Sequence, residues 1–314
     1  MRAIVVREFG GPEVLRLEQV PIPEIGRDEL LVEVVAAGVN PVDVSNHEDG
    51  EWAGIVLPYT PGSDVSGVVR AVGADVTGFA AGDEVFGLTD FLGVRNGSYA
   101  EYQAVLEAVA VRKPPSISHV EAASVPLAAG TAYEVIVGRL DVQRDERVVI
   151  FGAAGGVGGF ATQHAVRRGA QVIAVGRAAS HEYLRSLGAA LVLDHTAGDV
   201  IAQIAQSVGE VDAVADLVGG DTIERSLPIV REGGRLATIA SLDGDLELAI
   251  DRNQTLHGVL VRPDRARLEV LATLLASGEL RTTVRAEHPL EGAEHAHREV
   301  LRGGVPGKTV LRIR

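Results

Sequence analysis

A glycine-rich segment in the middle of the chain restricts the fold more than any other part of the sequence. Residues 148–161 read VVIFGAAGGVGGFA, so an apolar run leads into a glycine cluster and a second apolar run follows it. The pattern predicts a strand over Val148–Phe151 and a helix over Gly156–Arg168. A strand, a tight glycine turn and a helix are typical of the first βα unit of a parallel sheet.

The glycine turn has the spacing of a phosphate-binding loop. Ala153, Gly155 and Gly158 occupy the three positions of G-x-G-x-x-G, with alanine in the first. Bare backbone at a helix start lets a pyrophosphate lie against its N–H groups, although a tight turn without a ligand is the alternative. Because a further strand over Gln171–Val175 follows, we predict a dinucleotide site that includes Gly152, Ala153, Ala154, Gly155, Gly156, Val157 and Gly158.

The residues after the second strand indicate which dinucleotide binds. NAD sites usually offer an acidic residue there, whereas an arginine accommodates the 2′-phosphate of NADP. The chain reads VIAVGRAASHEY, which contains Gly176, Arg177 and Ser180 and no acidic residue before Glu182. Arg177 can pair with a phosphate and Ser180 can donate a hydrogen bond to it, so NADPH is the predicted cofactor. The alternative is that Arg177 is a solvated loop residue.

Strands and helices continue to alternate beyond this unit, which predicts an α/β fold with a doubly wound parallel sheet. A helix near His181–Leu187 is followed by predicted strands at Ala190–Leu193, Asp212–Val218, Arg235–Ile239 and Leu256–Val261. Gly219 and Ser241 come just after two of these strands, at the edge where open α/β sheets bind ligands, and are predicted to contact the cofactor. A helix over Asp264–Ser277 then begins with an N-cap aspartate and ends before Gly278.

The first 120 residues are instead β-rich. Short β-favouring runs are separated by Gly and Pro clusters and lie at Ala3–Val6, Glu29–Ala37, Ser66–Val72 and Gly97–Val105. The final run, GKTVLRIR, is also strand-like and can return to this part of the chain. We therefore predict a β-rich domain from residues 1–121 and 263–314, with a dinucleotide-binding domain from residues 122–262 between them.

Composition excludes several classes of function. The 314 residues include no cysteine, so disulfides and thiolate metal sites are impossible, which fits a cytoplasmic protein. A net charge of −14 argues against a nucleic-acid or anionic membrane surface. The N-terminus lacks a signal-peptide pattern and no apolar run is long enough to span a membrane.

Nine histidines raise the question of a metal site. His295 and His297 lie two residues apart in EHAHRE, and on a helix that spacing places them on different faces. No third ligand is evident from the sequence, so we predict no metal site and interpret the segment as a solvated helix.

Seven segments resemble, in order, those of a known enzyme family: AAGVNPVD (36–43), LPYTPGSDVSGVVRAVG (57–73), GSYAEY (97–102), PLAAGTAYEVI (126–136), GAAGGVG (152–158), ADLVGGD (215–221) and GKTVLRI (307–313). Together they resemble the zinc-independent medium-chain dehydrogenase/reductase superfamily, in particular its NADPH:quinone oxidoreductase-like branch. The resemblance implies a GroES-like β-rich catalytic domain, a Rossmann domain, an active site in the cleft between them and a homodimer.

The segments that hold zinc in other members of the superfamily differ here. Zinc-dependent relatives place Cys in the segment that matches Gly38–Asp43 and Gly-His-Glu in the segment that matches Gly62–Asp64, where this chain has GVNPVD and GSD. The resemblance therefore implies hydride transfer without zinc. Such transfer suits a quinone or a conjugated enone, because the π-system of that substrate accepts the electrons itself.

The resemblance carries three residues to the nicotinamide end of the cleft. It implies that Asn40 donates to a substrate carbonyl, that Asp43 fixes the surrounding loop and that Thr131 contacts the nicotinamide. From the residues alone, NPVD is equally an Asx-type turn and Thr131 an ordinary helix hydroxyl.

One position departs from the family pattern. Many quinone reductases have a tyrosine two residues after the aspartate, and some enone reductases a lysine, where this chain has Ser45. His47 could donate a proton and Trp52 could stack on a flat substrate, or the segment 46–54 is merely surface. The predicted function is NADPH-dependent reduction of a quinone or an α,β-unsaturated carbonyl compound. The alternative is an NADPH-binding redox-sensing or structural protein with little catalysis.

Overall fold

The computed structural model describes residues 1–94 and 96–314, which divide between two units. The first unit comprises Met1–Gly130, Arg262–Gly303 and Lys308–Arg314. The second comprises Thr131–Val261 and Gly304–Gly307. The first unit thus runs on to Gly130, where the sequence places a boundary at residue 121.

The strands and helices are numbered along the chain. The strands are β1 (Arg2–Val5), β2 (Arg16–Gln19), β3 (Glu29–Val39), β4 (Asp64–Val72), β5 (Glu84–Leu88), β6 (Tyr102–Leu106), β7 (Ala110–Arg112), β8 (Arg147–Phe151), β9 (Gln171–Gly176), β10 (Leu191–Asp194), β11 (Val211–Asp216), β12 (Val230–Thr238), β13 (Thr255–Gly258), β14 (Val284–Pro289) and β15 (Lys308–Arg312). The helices are α1 (Pro41–Glu48), α2 (His119–Ala123), α3 (Pro126–Tyr133), α4 (Gly156–Arg167), α5 (His181–Ser186), α6 (Val200–Val208), α7 (Thr222–Ser226), α8 (Glu247–Asp251), α9 (Arg265–Ala276) and α10 (Ala293–Arg302). A π-helical segment, Glu134–Arg139, continues α3.

The first unit is organised around the long strand β3. One side of β3 pairs with β4, and the other side pairs with β6 along Glu29–Glu33 and with β15 along Ala36–Val39. Two register irregularities in the β3–β4 ladder accompany this change of partner. The C-terminal strand therefore returns to the β-rich unit, as the sequence predicts, and brings Lys308 beside the carboxyl end of β3.

The second unit contains a six-stranded parallel sheet in the order β10–β9–β8–β11–β12–β13. Counted from β8, this is the order 3-2-1-4-5-6 of a doubly wound dinucleotide-binding sheet. Strands β9 and β10 are added on one side of β8, and β11 to β13 on the other. In doubly wound sheets the loops after the two strands at such a reversal border the ligand-binding crevice at the carboxyl edge. The predicted α/β fold class is confirmed.

Each unit has its own apolar core. In the first unit, alternate residues of β3 and β4 pack with Tyr59, Tyr99 and Phe79. In the second unit the parallel strands are buried on both faces, and Ile204, Ile223 and Leu227 from the helical layers complete the core. Near-continuous runs of Val, Ile and Ala in β8 and β9 are what a sheet covered on both faces requires.

Most predicted elements differ from the observed ones only at their ends. The exception is Gly97–Val105, because the strand begins at Tyr102 and the preceding residues form turns that contact Ala3 and Gly62. The helix predicted over Asp264–Ser277 is confirmed as α9: the Asp264 side chain accepts the Arg267 N–H at 2.9 Å, and Gly278 follows with φ +75°. Within residues 1–94 and 96–314, no helix is long and apolar enough to cross a membrane.

Candidate active site

The glycine turn after β8 is built by contacts that exclude side chains. Gly152 has φ +71°, in the left-handed region that favours glycine. A Cβ on Gly158 would lie 2.2 Å from the Gly152 carbonyl oxygen and 2.6 Å from the Ala153 backbone. Ala153 is buried and donates its N–H to Val175 in β9 at 3.1 Å. Gly152 and Gly158 are therefore required by the turn itself, whether or not a ligand binds.

Gly155 has no such structural reason to be glycine. Its φ of −69° and ψ of 177° suit any residue, and an added Cβ would meet only the Gly152 carbonyl oxygen, at 3.3 Å. Ala154 beside it accepts a hydrogen bond from Gly307 at 3.3 Å. The first turn of α4 carries no acidic residue. The N–H groups of Gly156, Val157 and Gly158 have no acceptor within the helix, because they belong to its first turn. A space that a Cβ would partly fill, bordered by free N–H donors, fits the pyrophosphate of a dinucleotide.

The turn after β9 contains Arg177 and Ser180. Arg177 is exposed, and its guanidinium forms no ion pair or hydrogen bond with the described residues. Ser180 is buried and donates to the Arg177 carbonyl oxygen at 2.7 Å, so its hydroxyl hydrogen is already engaged. Gly176 leaves room for that hydroxyl, because a Cβ there would lie 2.7 Å from Ser180 Oγ. Asp194, at the end of β10, accepts the Ala178 N–H at 3.0 Å. Arg177 is thus an uncompensated cation beside the glycine turn.

The loops after β11 and β12 are joined to each other. Asp216 is fully buried and accepts hydrogen bonds from Gly219 N–H at 3.0 Å and from the Thr238 hydroxyl at 2.9 Å. Gly220 N–H donates to the Ser241 carbonyl oxygen at 3.1 Å. The structure therefore brings Gly219 and Ser241 together at the same edge of the sheet as the glycine turn.

Asn40 and Asp43 lie where β3 passes into α1, in the first unit. Pro41 occupies the first helical position, and the Asp43 carboxylate accepts the Asn40 backbone N–H at 2.9 Å. Both residues are 2% exposed. The segment NPVD is accordingly a helix start rather than an isolated Asx turn, and Asp43 holds the backbone of Asn40.

The Asn40 side-chain amide is held at both ends. Its Nδ2 donates to Asp64 Oδ2 at 2.9 Å, and its Oδ1 accepts from the Lys308 ammonium. Lys308 Nζ also donates to the Val39 carbonyl oxygen at 2.8 Å and lies 3.9 Å from Asp64 Oδ2. Gly38 permits this packing, because a Cβ there would lie 2.6 Å from Asp64 Oδ2. An amide has two N–H donors, so one hydrogen of Asn40 is left for a further acceptor.

Two buried carboxyl groups and one ammonium share this cluster. Burial, and then the neighbouring Asp64 carboxylate, raise the pKa of Asp43 to about 7. Burial likewise raises the pKa of Asp64 and lowers the pKa of Lys308, while the opposite charge of each opposes the shift of the other. An ionised Asp64–Lys308 pair with a protonated Asp43 leaves no net buried charge. Near neutral pH, Asp43 is therefore divided between its protonated and ionised forms.

A buried chain of hydrogen bonds leads from Asp43 to the other end of α1. Tyr99 Oη lies 3.3 Å from Asp43 Oδ2 and 3.1 Å from His297 Nε2. His297 Nδ1 lies 3.0 Å from His47 Nε2, and His47 Nδ1 lies 2.8 Å from the Gly10 carbonyl oxygen. Burial lowers the pKa of His297 to about 3 and also lowers the pKa of His47, so both rings are neutral at pH 7.

Donor and acceptor matching in this chain depends on the Asp43 proton. The Gly10 carbonyl fixes the proton of His47 on Nδ1, so His297 must donate from its own Nδ1 and accept at Nε2 from Tyr99. The single Tyr99 hydroxyl hydrogen is then used, and Asp43 completes the chain when its carboxyl group is protonated and donates to Tyr99 Oη. Ionised Asp43 draws that hydrogen away from His297, so its protonation state is coupled to the whole chain.

The remaining predicted residues lie in both units. Ser45 is exposed, and its hydroxyl donates to the Pro41 carbonyl oxygen at 3.3 Å. His47 is fully buried, so the segment 46–54 is not merely a surface loop, whereas Trp52 is 52% exposed. Thr131 belongs to the second unit, where it lies in α3 and is 7% exposed.

Sequence reasoning missed five residues that shape these sites: Asp64, Tyr99, Asp216, His297 and Lys308. Lys308 had a usable signal, because it lies in a strand-like segment that is predicted to return to the β-rich unit, and a lysine buried there requires a partner. Asp216 had one too, as an acidic residue at the end of a buried parallel strand. Tyr99 and His297 gave no signal of their own, since their contact joins residues 198 positions apart.

Two family models match parts of the chain. Residues 26–115 match a model described as alcohol dehydrogenase GroES-like domain, and residues 187–311 match one described as zinc-binding dehydrogenase. The first match lies within the β-rich unit, and the second begins after the glycine turn.

Similar proteins match three quarters of the chain or more. The quinone oxidoreductase of Homo sapiens is 31% identical over 327 residues, which are 99% of this chain and 97% of that protein. The chloroplastic NADPH-dependent alkenal/one oxidoreductase of Arabidopsis thaliana is 35% identical over 248 residues, which are 76% of this chain and 62% of that protein. The solved structure of the quinone oxidoreductase from Coxiella burnetii matches with a TM-score of 0.94 at 32% identity, covering 100% of this chain and 99% of that chain.

The description of the second family model raises the question of whether this chain can hold zinc near Asn40. Zinc sites use thiolate, imidazole and carboxylate ligands. Asn40 Oδ1 and the Val39 carbonyl already bind the Lys308 ammonium, which stands 3.9 Å from Asp64. A divalent cation at this place would face the buried Lys308 ammonium, and both carboxyl groups of the cluster are already engaged: Asp64 faces that ammonium, and Asp43 accepts the Asn40 backbone N–H. The residues present around Asn40 do not fit a zinc ion.

Proposed function

This chain belongs to the medium-chain dehydrogenase/reductase superfamily, in its quinone oxidoreductase-like branch, and from that premise we propose that it reduces quinones or α,β-unsaturated carbonyl compounds with NADPH. The observation that carries this proposal is the exposed Arg177, which has no ion-pair partner among the described residues, beside a glycine turn with room for a pyrophosphate. The relatives named quinone oxidoreductase match the chain over nearly its full length.

We assign the cofactor to the carboxyl edge of the parallel sheet. The N–H groups at the start of α4 would hold the pyrophosphate, and Arg177 would hold the 2′-phosphate. Ser180 shapes the loop and leaves the phosphate to Arg177, because its hydroxyl is bonded to the Arg177 carbonyl. Bound NADPH would supply a hydride from its nicotinamide ring. The proposed cofactor site comprises Gly152, Ala153, Ala154, Gly155, Gly156, Val157, Gly158, Gly176, Arg177, Gly219 and Ser241, with Ser180 included as the residue that shapes the loop around Arg177.

Three residues are proposed to act at the reacting centre. Asn40 would donate its free amide hydrogen to the substrate carbonyl, in an orientation fixed by Asp64 and Lys308. Asp43 would hold the Asn40 backbone, and its carboxyl group would be partly protonated near neutral pH. Thr131 would contact the nicotinamide.

The proposed reaction takes place without zinc. Asn40 Oδ1, which could otherwise bind a metal ion, accepts a hydrogen bond from the Lys308 ammonium instead. A quinone or an enone suits such a site, because its conjugated π-system accepts a hydride without a Lewis acid on its oxygen, whereas an unactivated alcohol does not. A single hydrogen bond from Asn40 then stabilises the negative charge that develops on the substrate oxygen.

One observation favours a second function, in which the protein binds NADPH as a redox sensor or structural partner and catalyses little. Ser45 stands where many relatives have a tyrosine or lysine, and its hydroxyl is bonded to the Pro41 carbonyl oxygen. If that missing group is needed for turnover, NADPH binding would persist without reduction of an acceptor.

We also propose that the protein is a cytoplasmic homodimer. Strand β13 stands at the end of the parallel sheet, and Ile250 and Leu260 near it are 78% and 55% exposed. Such an edge with apolar neighbours suits a partner copy. Light scattering should then give twice the chain mass, and a monomer would contradict the dimer.

The absence of cysteine from the sequence supports the proposed location in the cytoplasm, which cell fractionation would test.

The decisive experiment separates the two functions. Purified protein is mixed with NADPH and a panel of quinones and enones, and the absorbance of the reduced nicotinamide is followed while NADPH binding is measured by fluorescence. Consumption of NADPH with any acceptor supports the reductase. Tight NADPH binding without consumption supports the sensor, and the absence of binding contradicts both.

A further inference from the structure

Three potential metal ligands meet on the surface of the first unit, between β14 and α10. His288 lies near the end of β14, and His295 and Glu299 lie four residues apart on α10, so that they share one helix face. His288 Nε2 and Glu299 Oε2 are 2.7 Å apart, and the His288 and His295 ring centroids are 5.1 Å apart. One ligand atom from each of the three residues lies within 4.8 Å of the other two.

We propose that His288, His295 and Glu299 bind a divalent transition-metal ion of the zinc class. Two imidazoles and one carboxylate, with water in the fourth position, are a common tetrahedral ligand set for zinc. Ligand–metal bonds of about 2.0–2.2 Å place neighbouring ligand atoms about 3.3 Å apart. The His288–Glu299 contact therefore has to open by a fraction of an ångström to admit the ion.

The different burial of the three side chains suits this change. His288 and Glu299 are partly buried, with 18% and 24% of their side chains exposed, and their backbone positions are fixed by β14 and α10. His295 is exposed and makes no hydrogen bond with the described residues, so its ring can turn towards the other two ligands at little cost. The partly buried pair thus provides a fixed base, and His295 completes the site.

A neighbouring charge determines how strongly the metal binds, and the ligand types determine which metals are preferred. Arg285 Nε lies 3.9 Å from Glu299 Oε1 and donates to Thr309 Oγ1 at 2.7 Å, so a cation already stands on the far side of the carboxylate. That charge weakens metal binding, and we expect a dissociation constant on the order of micromolar, far weaker than structural zinc sites. Imidazole ligands favour Zn²⁺, Co²⁺ and Ni²⁺ over Mg²⁺ and Ca²⁺.

This cluster was not predicted from the sequence, because the sequence draws attention to His295 and His297 as a pair. His295 and His297 are neighbours in the chain, but His297 is fully buried on the other face of α10 against His47 and Tyr99. The third ligand, His288, becomes apparent only when β14 is placed beside α10. Binding of the metal would tie this strand to this helix, and the inference does not rest on the proposed function.

The experiment uses the 314-residue chain after treatment with a chelator. Zinc chloride is titrated by calorimetry. Co²⁺ is used separately as a spectroscopic probe, and its visible absorption reports on nitrogen and oxygen ligands, because the chain has no cysteine. We expect one zinc per chain and a rise in melting temperature with zinc concentration. His295→Ala and, separately, Glu299→Gln should each weaken binding at least about tenfold and remove the Co²⁺ absorption.

The control is His195→Ala, which removes an exposed histidine from the second unit and should leave zinc binding unchanged. Both variants of the cluster are expected to fold, which circular dichroism checks, because His295 is exposed and glutamine keeps the shape of Glu299. Absence of zinc binding by the wild type at about 100 times the expected dissociation constant would overturn the proposal. Equal binding by the wild type and both cluster variants would overturn it as well.

Discussion

At the scale of single residues, the environment of Asn40 shows how buried charge positions a polar side chain. The amide is held between a carboxylate and an ammonium, which fixes which end is oxygen and which is nitrogen. The motif NPVD predicts a turn, but it carries no information on Lys308, which is 268 residues away in the chain. That contact depends on the pairing of β15 with β3, so it could not be derived from local sequence.

Arg177 provides the sharpest test of cofactor choice. We expect Arg177→Ala to weaken NADPH binding by about 1.5–3 kcal/mol, the contribution of a charge-assisted hydrogen bond, and to leave NADH binding nearly unchanged. Fluorescence titration with both dinucleotides measures the two affinities. Arg185→Ala, an exposed arginine on the neighbouring α5, should change neither. Equal losses for both cofactors would show that Arg177 contacts no 2′-phosphate.

The Asp43 carboxyl group predicts a pH dependence of stability. Its pKa is about 7 in the folded protein, because burial and Asp64 disfavour the ionised form, and about 3.9 in an unfolded chain. The unfolded state therefore binds fewer protons between these values, so the contribution of Asp43 to stability is lost as pH rises from about 4 to about 7. The other groups that face Asp43 are Lys308, which opposes the shift, and the hydroxyls of Tyr99 and Tyr59.

The variant Asp43→Asn removes this dependence. The amide can accept from Asn40 N–H and donate to Tyr99 at every pH, as the protonated carboxyl does. The free energy of unfolding of the wild type falls as pH rises from about 4 to about 7, whereas that of the variant lacks this contribution. We therefore expect the difference between variant and wild type to increase by up to about 1.4 kcal/mol per pH unit over this range. Urea unfolding at several pH values measures the difference, with the exposed Asp28→Asn as control. A difference that stays constant with pH would contradict the assigned protonation of Asp43.

At the scale of elements, the glycine turn between β8 and α4 combines a structural and a binding requirement. The sequence predicts the strand, the turn and the helix correctly, because their signal is local. It cannot separate the glycines by purpose, since all of them fit the same motif. The structure separates them: a Cβ on Gly158 would lie 2.2 Å from the Gly152 carbonyl oxygen, whereas a Cβ on Gly155 would meet only that oxygen, at 3.3 Å.

Two alanine substitutions test this division. Gly158→Ala places a Cβ 2.2 Å from a backbone oxygen that cannot move aside, so we expect a loss of stability of about 1–3 kcal/mol or more. Gly155→Ala should leave the melting temperature nearly unchanged but weaken NADPH binding, because its methyl group would stand where the pyrophosphate is proposed to lie. Thermal unfolding and NADPH titration of both variants provide the comparison. Unchanged NADPH affinity in Gly155→Ala would count against the proposed phosphate position.

At the scale of the whole molecule, the sequence predicts the fold class well and the local surroundings of the sites poorly. The change from β-rich texture to alternating strands and helices is a long pattern, so the parallel sheet and the return of the C-terminal strand are confirmed. The buried chain from Asp43 to His47 and the surface cluster at His288 both join α10 to distant strands or helices. Such contacts depend on tertiary packing, which short sequence patterns do not encode.

The central claim is that this chain transfers a hydride from NADPH to a conjugated acceptor without a metal. The most direct measurement uses chelator-treated protein, NADPH deuterated at the transferable nicotinamide position and an enone, because carbon-bound deuterium does not exchange with water. Mass spectrometry of the product should show one deuterium per molecule of reduced enone, at an undiminished rate in the presence of chelator. Absence of reduced product, loss of the activity with chelator, or a product without deuterium would contradict the claim.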